Sequence, residues 1–207
     1  DESRRKGLTV PLIDIDKLCV TRNHSPICQV SRLTIEHGNR VGIWGSNGSG
    51  KTTLLRVLAG LERYFEGNCQ IQLSRRDRVY VDQAPYLFRG TVLFNATYGL
   101  RARGLNRQTA ESQAMHWLEK LGVQDLAHAR VHRLSGGERR RTALAQAMAI
   151  RSKLLLLDEP FSDMDVHGKV RIEEALLNLT DTTVILASPT PLCEDFCHQI
   201  YELDSDR

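Results

Sequence analysis

Eight residues, 45–52, have the spacing of a phosphate-binding loop. Every fixed position of the pattern G-x-x-x-x-G-K-[ST] is filled, and the loop reads Gly45, Ser46, Asn47, Gly48, Ser49, Gly50, Lys51 and Thr52. Glycines let such a loop turn tightly and point its N–H groups at phosphate oxygens. Lys51 would contact the β- and γ-phosphates, and the Thr52 hydroxyl would hold Mg²⁺. The pattern predicts a nucleoside triphosphate site, to which Thr53 also contributes.

Two adjacent acidic residues, Asp158 and Glu159, supply the carboxylates that this chemistry needs. They follow the wholly apolar run 154–157, which is typical of a central strand in a parallel sheet. Ligands bind at the carboxyl ends of such strands, so we expect Asp158 beside Thr52 in a Mg²⁺ site. Glu159 would polarise the attacking water as a general base. The alternative is an acidic helix cap that follows a strand.

The elements that must position these residues follow from the hydrophobic pattern. Residues 40–44 before the glycine loop form an apolar strand, and residues 53–59 after it have helical spacing. Strand, glycine loop and helix in this order are the context in which the motif is meaningful. A second apolar run, 183–187, predicts another buried strand.

The rest of the chain divides into a β-rich start and a helical middle. Residues 8–44 alternate apolar and polar positions between turn signals, which predicts several strands. A further strand pair is predicted at 68–73 and 79–82. Residues 91–131 have helical spacing, which predicts a helical insertion.

Composition and charge are those of an ordinary globular chain. Of the 207 residues 41% are hydrophobic, and the net charge of +3 is too small to argue for nucleic acid as a partner. No apolar run is long enough to span a bilayer, and residues 1–6 lack the apolar stretch of a secretory signal. Five scattered cysteines suit reduced thiols. We expect a cytosolic protein that binds no nucleic acid.

Three motifs in a fixed order are specific enough to indicate a family. The glycine loop precedes the signature segment (residues 134–138), and the run ending in Asp158 and Glu159 comes last. In these motifs the chain resembles the ATP-binding cassette (ABC) ATPases over essentially its whole length. The resemblance implies an α/β fold with a P-loop NTPase core, a mostly parallel sheet flanked by helices, and an N-terminal antiparallel β region. It also implies one nucleotide-binding domain, 1–207, with a helical subdomain, 84–133, inserted in the RecA-like core.

The resemblance implies roles for further residues. Two cassettes are expected to pack head to tail around two ATP molecules, and the signature segment would face the partner's nucleotide with Leu134, Ser135, Gly136, Gly137 and Glu138. Gln83 matches a glutamine that senses Mg²⁺ and the γ-phosphate, so it joins Glu159 and Lys51 as a catalytic residue and Thr52 and Asp158 as a metal ligand. Asp165 matches an aspartate that contacts the partner's nucleotide loop. The arginines 139–141 are expected to form a solvated helix face.

Two positions depart from the family pattern. The histidine that would contact the γ-phosphate after the strand 183–187 is missing, and the chain has Ser188 and Pro189 at this switch position. Proline has no side-chain donor. Ser188 or Thr190 substitutes in part, or hydrolysis is slow, or the correspondence is shifted by one residue. The aromatic residue that stacks on adenine is also missing, and Arg22 near its place could stack its guanidinium instead.

The predicted function is an ATP-binding and ATP-hydrolysing subunit of an ABC membrane transporter, with ATP and Mg²⁺ as cofactors. Dimer closure with a second ABC ATPase chain, which we expect to be a second copy of this one, would drive translocation by a separate transmembrane permease. The permease would hold the subunit on the inner face of the cell membrane. A groove at residues 86–98 with several aromatic side chains would receive it; a buried local cluster explains these residues equally well.

Import is favoured over export. Residues 129–133 lack the insertion typical of exporter cassettes, and residues 93–101 resemble tungstate- and molybdate-type importers. A soluble cassette protein acting on ribosomes or DNA is disfavoured, since such proteins usually carry two cassettes or a coiled-coil insertion. The main alternative is a nucleotide-gated dimerisation switch with little or no hydrolysis.

Overall fold

The structure is a computed structural model that describes residues 10–162 and 164–203. Residues 1–9, 163 and 204–207 of the predicted 1–207 domain lie outside this description. The strands are β1 (Ile13–Arg22), β2 (Ser25–Ile35), β3 (Arg40–Trp44), β4 (Glu66–Ile71), β5 (Arg78–Val81), β6 (Leu154–Asp158), β7 (Thr183–Ser188) and β8 (Gln199–Glu202). The helices are α1 (Lys51–Ala59), α2 (Val92–Ala102), α3 (Arg107–Lys120), α4 (Gly136–Ala149) and α5 (Val166–Leu177).

The N-terminal strands form an antiparallel sheet with the order β2-β1-β4. Asn23 and His24 join β1 to β2 with φ angles of 48° and 61°, the left-handed conformations of a two-residue hairpin turn. The predicted antiparallel β region is confirmed. The predicted pairing of 68–73 with 79–82 is wrong, because β4 pairs with β1 whereas β5 pairs with β6. Both true partners are remote in the sequence, so local spacing could not reveal them.

The second sheet is parallel, with the strand order β5-β6-β7-β3-β8. Every residue of β6 and β7 is buried. Strands covered on both faces need apolar side chains at every position, and for this reason the runs 154–157 and 183–187 could be recognised from the sequence. The predicted α/β fold with a P-loop-type parallel sheet is confirmed.

Alternate residues of the parallel sheet enter two hydrophobic cores. Leu155 and Leu157 pack into a core shared with helices α2 to α5. Leu154 and Leu156 pack into a second core with α1 and the antiparallel sheet. Because successive side chains of a strand point to opposite faces, β6 is held between both layers.

Helices α2 and α3 form the inserted helical region. Thr91 and Asn106 begin them, and each side-chain oxygen accepts a hydrogen bond from the backbone N–H three residues later. Trp117 and Leu118 of α3 are buried in the core that also contains α4 and α5. The insertion of helices is therefore present, and its action as a separate subdomain with the bounds 84–133 stays a prediction.

Two further features concern the surroundings of the chain. None of the helices in the described ranges is long and apolar enough to cross a membrane. All five cysteines are free thiols. Burial raises the pKa of the Cys28 thiol to about 12, which keeps it protonated and unreactive at neutral pH.

The carboxyl ends of three strands meet at one edge of the parallel sheet. Trp44 at the end of β3 lies beside Ser188, and Asp158 at the end of β6 lies beside Ala187. The glycine loop leaves β3, the acidic pair leaves β6, and the switch position leaves β7. Open parallel sheets bind their ligands at this edge, so the fold brings the predicted residues together where chemistry is expected.

Candidate functional site

The glycine loop is a backbone cradle in which side chains do not fit at two positions. A Cβ on Gly50, whose φ is 98°, would lie 2.4 Å from the carbonyl oxygen of Ile27. A Cβ on Gly45 would lie 2.4 Å from the carbonyl oxygen of Leu203. Helix α1 begins directly at Lys51, so its unpaired N–H groups point towards the loop. A helix N-terminus that opens into a glycine loop favours anions such as phosphate.

Lys51 places its cationic head inside this cradle. Its Nζ donates hydrogen bonds to the carbonyl oxygens of Gly45, at 2.7 Å, and of Ser46, at 2.9 Å. Burial lowers the pKa of Lys51, and the nearby carboxylates of Glu159 and Asp158 act in the opposite direction. The ammonium is therefore held over the loop, where it can meet phosphate oxygens.

Asp158 and Thr52 form a pair that fits a magnesium ion. Asp158 is only 3% exposed, and its carboxylate accepts a hydrogen bond from the Thr52 hydroxyl. Burial raises the pKa of Asp158, while the hydrogen bonds from Thr52 and Tyr80 oppose that shift. One carboxylate and one hydroxyl beside a phosphate cradle match the oxygen ligands that Mg²⁺ prefers. The donor set fits the ion.

Tyr80 on β5 supports this pair, and it was missed from the sequence. Its hydroxyl lies 3.1 Å from Oδ2 of Asp158 and 3.1 Å from Oδ2 of Asp82. Burial and the two carboxylates raise the pKa of Tyr80, so the phenol stays protonated and can donate. Arg56 of α1 pairs with the same Asp82 oxygen at 3.2 Å. The one available signal was a tyrosine between the two valines of β5, since a hydroxyl that is partly buried needs a partner.

Glu159 is held in a defined position by neighbouring side chains. Its Oε2 accepts hydrogen bonds from Nε2 of Gln83 and from Oγ of Ser162, both at 2.9 Å. The residue has a φ of 47°, a left-handed conformation that costs about 1–2 kcal/mol for a side chain with a Cβ. Its N–H donates to the carbonyl oxygen of Ala187 at 3.1 Å, which fixes that conformation. Such conformations are found mainly at functional sites.

A cleft of about 420 Å³ brings together nine of the predicted residues. Its lining consists of Ile27, Asn47, Gly48, Gly50, Lys51, Thr52, Thr53, Gln83, Glu159 and Pro189. The glycine loop and the segments that follow β5, β6 and β7 thus line one cavity. Ile27 was not predicted, because it comes from a hairpin strand that carries no motif. Gln83 faces Glu159 with its amide nitrogen, and its role as a metal ligand stays a prediction.

The switch position presents proline to the cleft. Pro189 lines it, whereas Ser188 is buried and its Oγ accepts a hydrogen bond from the N–H of Thr190 at 3.2 Å. The Ser188 and Thr190 hydroxyls are 3.5 Å apart. The two hydroxyl groups that were candidates to replace the histidine therefore contact each other within residues 188–190.

Arg22 lies at the end of β1, outside the group of residues that line the cleft in the described chain. Its Nη2 is 3.1 Å from Oε2 of Glu62, and its side chain is 59% exposed. The guanidinium has a salt-bridge partner in the loop after α1. Stacking of Arg22 on a base would require the side chain to leave Glu62, and it stays a prediction.

The signature segment caps helix α4. Ser135 is the N-cap, and its Oγ accepts from the N–H of Glu138 at 3.3 Å, while the Glu138 carboxylate accepts from the N–H of Ser135 at 2.8 Å. This reciprocal pair is a capping box, and it lowers the pKa of Glu138. A Cβ on Gly136 would meet none of the described atoms within 4 Å. Packing within the chain therefore does not require glycine here, whereas close approach by another molecule would.

Two neighbouring predictions have different outcomes. Asp165 caps helix α5, where its Oδ1 accepts a hydrogen bond from the N–H of Gly168 at 2.7 Å; its contact with a partner stays a prediction. The solvated face expected at residues 139–141 is wrong. Arg139 donates to the carbonyl oxygen of Val131, and Arg140 donates to carbonyl oxygens around the cleft. Spacing alone cannot distinguish a charged surface from guanidinium groups that reach inward past the helix.

Comparison with known proteins agrees with this geometry. The family model described as ABC transporter matches residues 28–162. The chain belongs to the ABC transporter family. A tungstate uptake system ATP-binding protein of Peptoclostridium acidaminophilum is 33% identical over 94% of this chain and 95% of its own length. A spermidine/putrescine import ATP-binding protein of Legionella pneumophila is 33% identical over 84% of this chain, which spans about half (50%) of that relative.

Solved structures show the same fold. The cbiO1 protein from Clostridium perfringens, described as part of the ABC transporter complex cbiONQ, superposes with a TM-score of 0.81. The match covers 95% of this chain and 86% of that one at 21% identity. The resemblance inferred from the three motifs is confirmed, and the chain is an ATP-binding subunit of the ABC type with importer-type relatives.

Replacing Tyr80 by phenylalanine should weaken metal binding without altering the fold. The ring keeps its packing, but the hydroxyl that orients Asp158 is lost. Loss of such a group behind a metal ligand typically costs about 10–100-fold in metal affinity. We expect Tyr80→Phe to raise the Mg²⁺ concentration for half-maximal phosphate release by about tenfold. A Mg²⁺ titration checks this, with Tyr64→Phe as the matched control because Tyr64 is 88% exposed; equal titrations would show that Asp158 needs no support.

Proposed function

We propose that this chain hydrolyses ATP as one half of a head-to-tail dimer and powers a separate membrane permease, in the direction of import. The observation that supports it best is the shared cleft, in which Lys51, Thr52 and Glu159 lie around a backbone phosphate cradle. A phosphate clamp next to a carboxylate is the arrangement that phosphoryl transfer to water needs. Permease attachment would place the subunit on the inner face of the membrane.

Different residues of the chain have separate roles in the proposed hydrolysis. The glycine loop and Lys51 hold the phosphates, and the fixed N–H groups stabilise negative charge as it moves onto the leaving group. Glu159 accepts the proton of the attacking water, and Gln83 orients Glu159 through its 2.9 Å hydrogen bond. Thr52 and Asp158 would hold Mg²⁺, which would supply positive charge to neutralise the phosphates.

The signature segment supports a dimer. Ser135 and Gly136 are exposed at the N-terminus of α4, which is the positive end of the helix dipole. Glycine at an exposed helix start lets a phosphate approach the backbone closely. A second copy arranged head to tail would bring its γ-phosphate to this segment and complete two equivalent sites.

An aromatic cluster supports docking to a permease. Tyr86, Phe88, Phe94 and Tyr98 are in ring contact, with centroids 4.5–6.1 Å apart. Tyr86 is 76% exposed, although Leu87 beside it belongs to the core. The cluster borders a cleft of about 450 Å³ that also contains Arg101 and Glu111. Exposed aromatic groups with a charged rim are typical of protein interfaces.

Removing the aromatic cluster should uncouple the subunit from its permease. We expect the double variant Tyr86→Ala/Tyr98→Ala to keep the basal rate of phosphate release but to lose its stimulation by the permease, since the cluster lies outside the nucleotide cleft. The measurement uses vesicles that contain the proposed permease. Tyr64→Ala removes an exposed tyrosine outside the cluster and serves as the control. Full stimulation of the double variant would exclude this face as the docking site.

A nucleotide-gated dimerisation switch is the second candidate. It is supported by Pro189, which lines the cleft without a donor, and by Glu159, whose carboxylate is engaged by Gln83 and Ser162. Phosphate release from Mg-ATP, with and without the permease, separates the two functions, with Lys51→Ala as the inactive control. Turnover that Lys51→Ala removes favours the pump. ATP-dependent dimers without turnover favour the switch.

A further inference from the structure

Arg140 on α4 makes three hydrogen bonds to the backbone around the catalytic carboxylate. Its Nη1 donates to the carbonyl oxygen of Glu159 at 3.1 Å and to that of Ser162 at 2.6 Å. Its Nη2 donates to the carbonyl oxygen of Gln83 at 2.6 Å. One side chain therefore joins the segments that follow β5 and β6, which supply Gln83 and Glu159 to the cleft.

Arginine is suited to this task by its shape. The guanidinium is planar and carries several N–H donors in a fixed fork, so it can bind separate acceptors at once. Hydrogen bonds from a charged donor are shorter and stronger than those between neutral groups. A lysine ammonium at the same place is a point charge on a flexible stem and cannot reproduce the fork.

The bonds of Arg140 connect the helix that presents the signature segment to the segments that carry Gln83 and Glu159. It lies five residues after Ser135, on the same rigid helix that presents the signature segment. If contact with the partner's nucleotide shifts α4, the bond from Arg140 would pass that shift to the backbone of Glu159. Because Glu159 is already in a left-handed conformation, its carboxylate position depends on what restrains its backbone.

We propose that Arg140 is a positioning residue that couples the signature helix to the catalytic Glu159 and to Gln83 of the same chain. The proposal rests on the proposed hydrolytic function. Through Arg140, binding of the partner's nucleotide at the signature segment sets the position of Glu159 in the chain's own nucleotide site. It explains why Arg140 reaches from α4 towards Gln83 and Glu159 instead of into solvent.

The test variant is Arg140→Gln, and the matched control is Arg139→Gln on the same helix. Arg139 donates to the carbonyl oxygen of Val131, away from the cleft, so its loss removes a similar charge and bond without touching Glu159. We expect Arg140→Gln to lower kcat by up to about 10²-fold, since a small misplacement of a catalytic group has that effect. The KM for ATP should stay unchanged, because the glycine loop is intact. Arg140→Lys, which keeps the charge, should fall between the two.

Hydrogen–deuterium exchange supplies a readout that does not need turnover. Peptides covering residues 83–90 and 156–162 should exchange faster in Arg140→Gln than in the wild type and in Arg139→Gln. A kcat equal to that of Arg139→Gln, or unchanged exchange in both peptides, overturns the proposal. If the wild type itself releases no phosphate, the proposed hydrolysis fails, and exchange alone then decides whether Arg140 restrains the Gln83 and Glu159 segments.

Discussion

Glu159→Gln is expected to lower phosphate release by about 10²–10³-fold, since positioned general bases contribute on this order. The amide has the size and shape of the carboxylate and can still accept a hydrogen bond from Gln83, but it cannot take a proton from water. ATP binding should persist, because the glycine loop and Lys51 are unchanged. Single-turnover phosphate release and equilibrium ATP binding measure the two quantities separately.

The same variant should accumulate ATP-bound dimers. If the proposed dimer opens only after hydrolysis, a chain that binds ATP without turnover should stay in the closed state. Size-exclusion chromatography with Mg-ATP should show this dimer for Glu159→Gln and a mixture for the wild type. Glu173→Gln removes an exposed carboxylate on α5 and is the matched control. Wild-type rates in Glu159→Gln would mean that another group accepts the proton.

The parts of the fold that could be predicted depend on contiguous patterns. The glycine loop is a single run of residues, and the buried strands 154–157 and 183–187 are apolar without interruption, so their positions at the sheet edge followed from local features. The pairing of β4 and β5 did not, because each binds a strand far away along the chain. The hydrophobic pattern of a strand indicates which of its faces is buried, but it does not indicate which other strand it pairs with.

The unpredicted site residues share a different property. Tyr80, Ile27 and Arg140 belong to no motif. Ile27 lines the cleft, Tyr80 contacts Asp158, and Arg140 contacts the backbone of Gln83. Tyr80 is a strand residue, and Arg140 is one of three successive arginines that differ only in where the helix directs them. A residue type with several ordinary roles becomes informative only when its neighbours in space are known.

Pro189→His is expected to accelerate phosphate release by about tenfold or more, because a donor aimed at a developing oxyanion is typically worth about 10²–10³-fold. Pro189 already lines the cleft with Lys51 and Glu159, so an imidazole placed there faces the phosphate cradle. Neither Ser188 nor Thr190 is among the described residues that line this cleft, and their hydroxyls lie 3.5 Å apart. Steady-state phosphate release at saturating Mg-ATP checks the prediction.

Pro189→Ala separates the gain of an imidazole from the loss of the proline ring. Both variants restore a backbone N–H and free φ at this position, but only histidine adds a side-chain donor. Acceleration in Pro189→His alone would therefore show that the missing donor limits hydrolysis in the natural chain. Equal rates in both variants and the wild type would show that a side-chain donor at this position does not limit turnover.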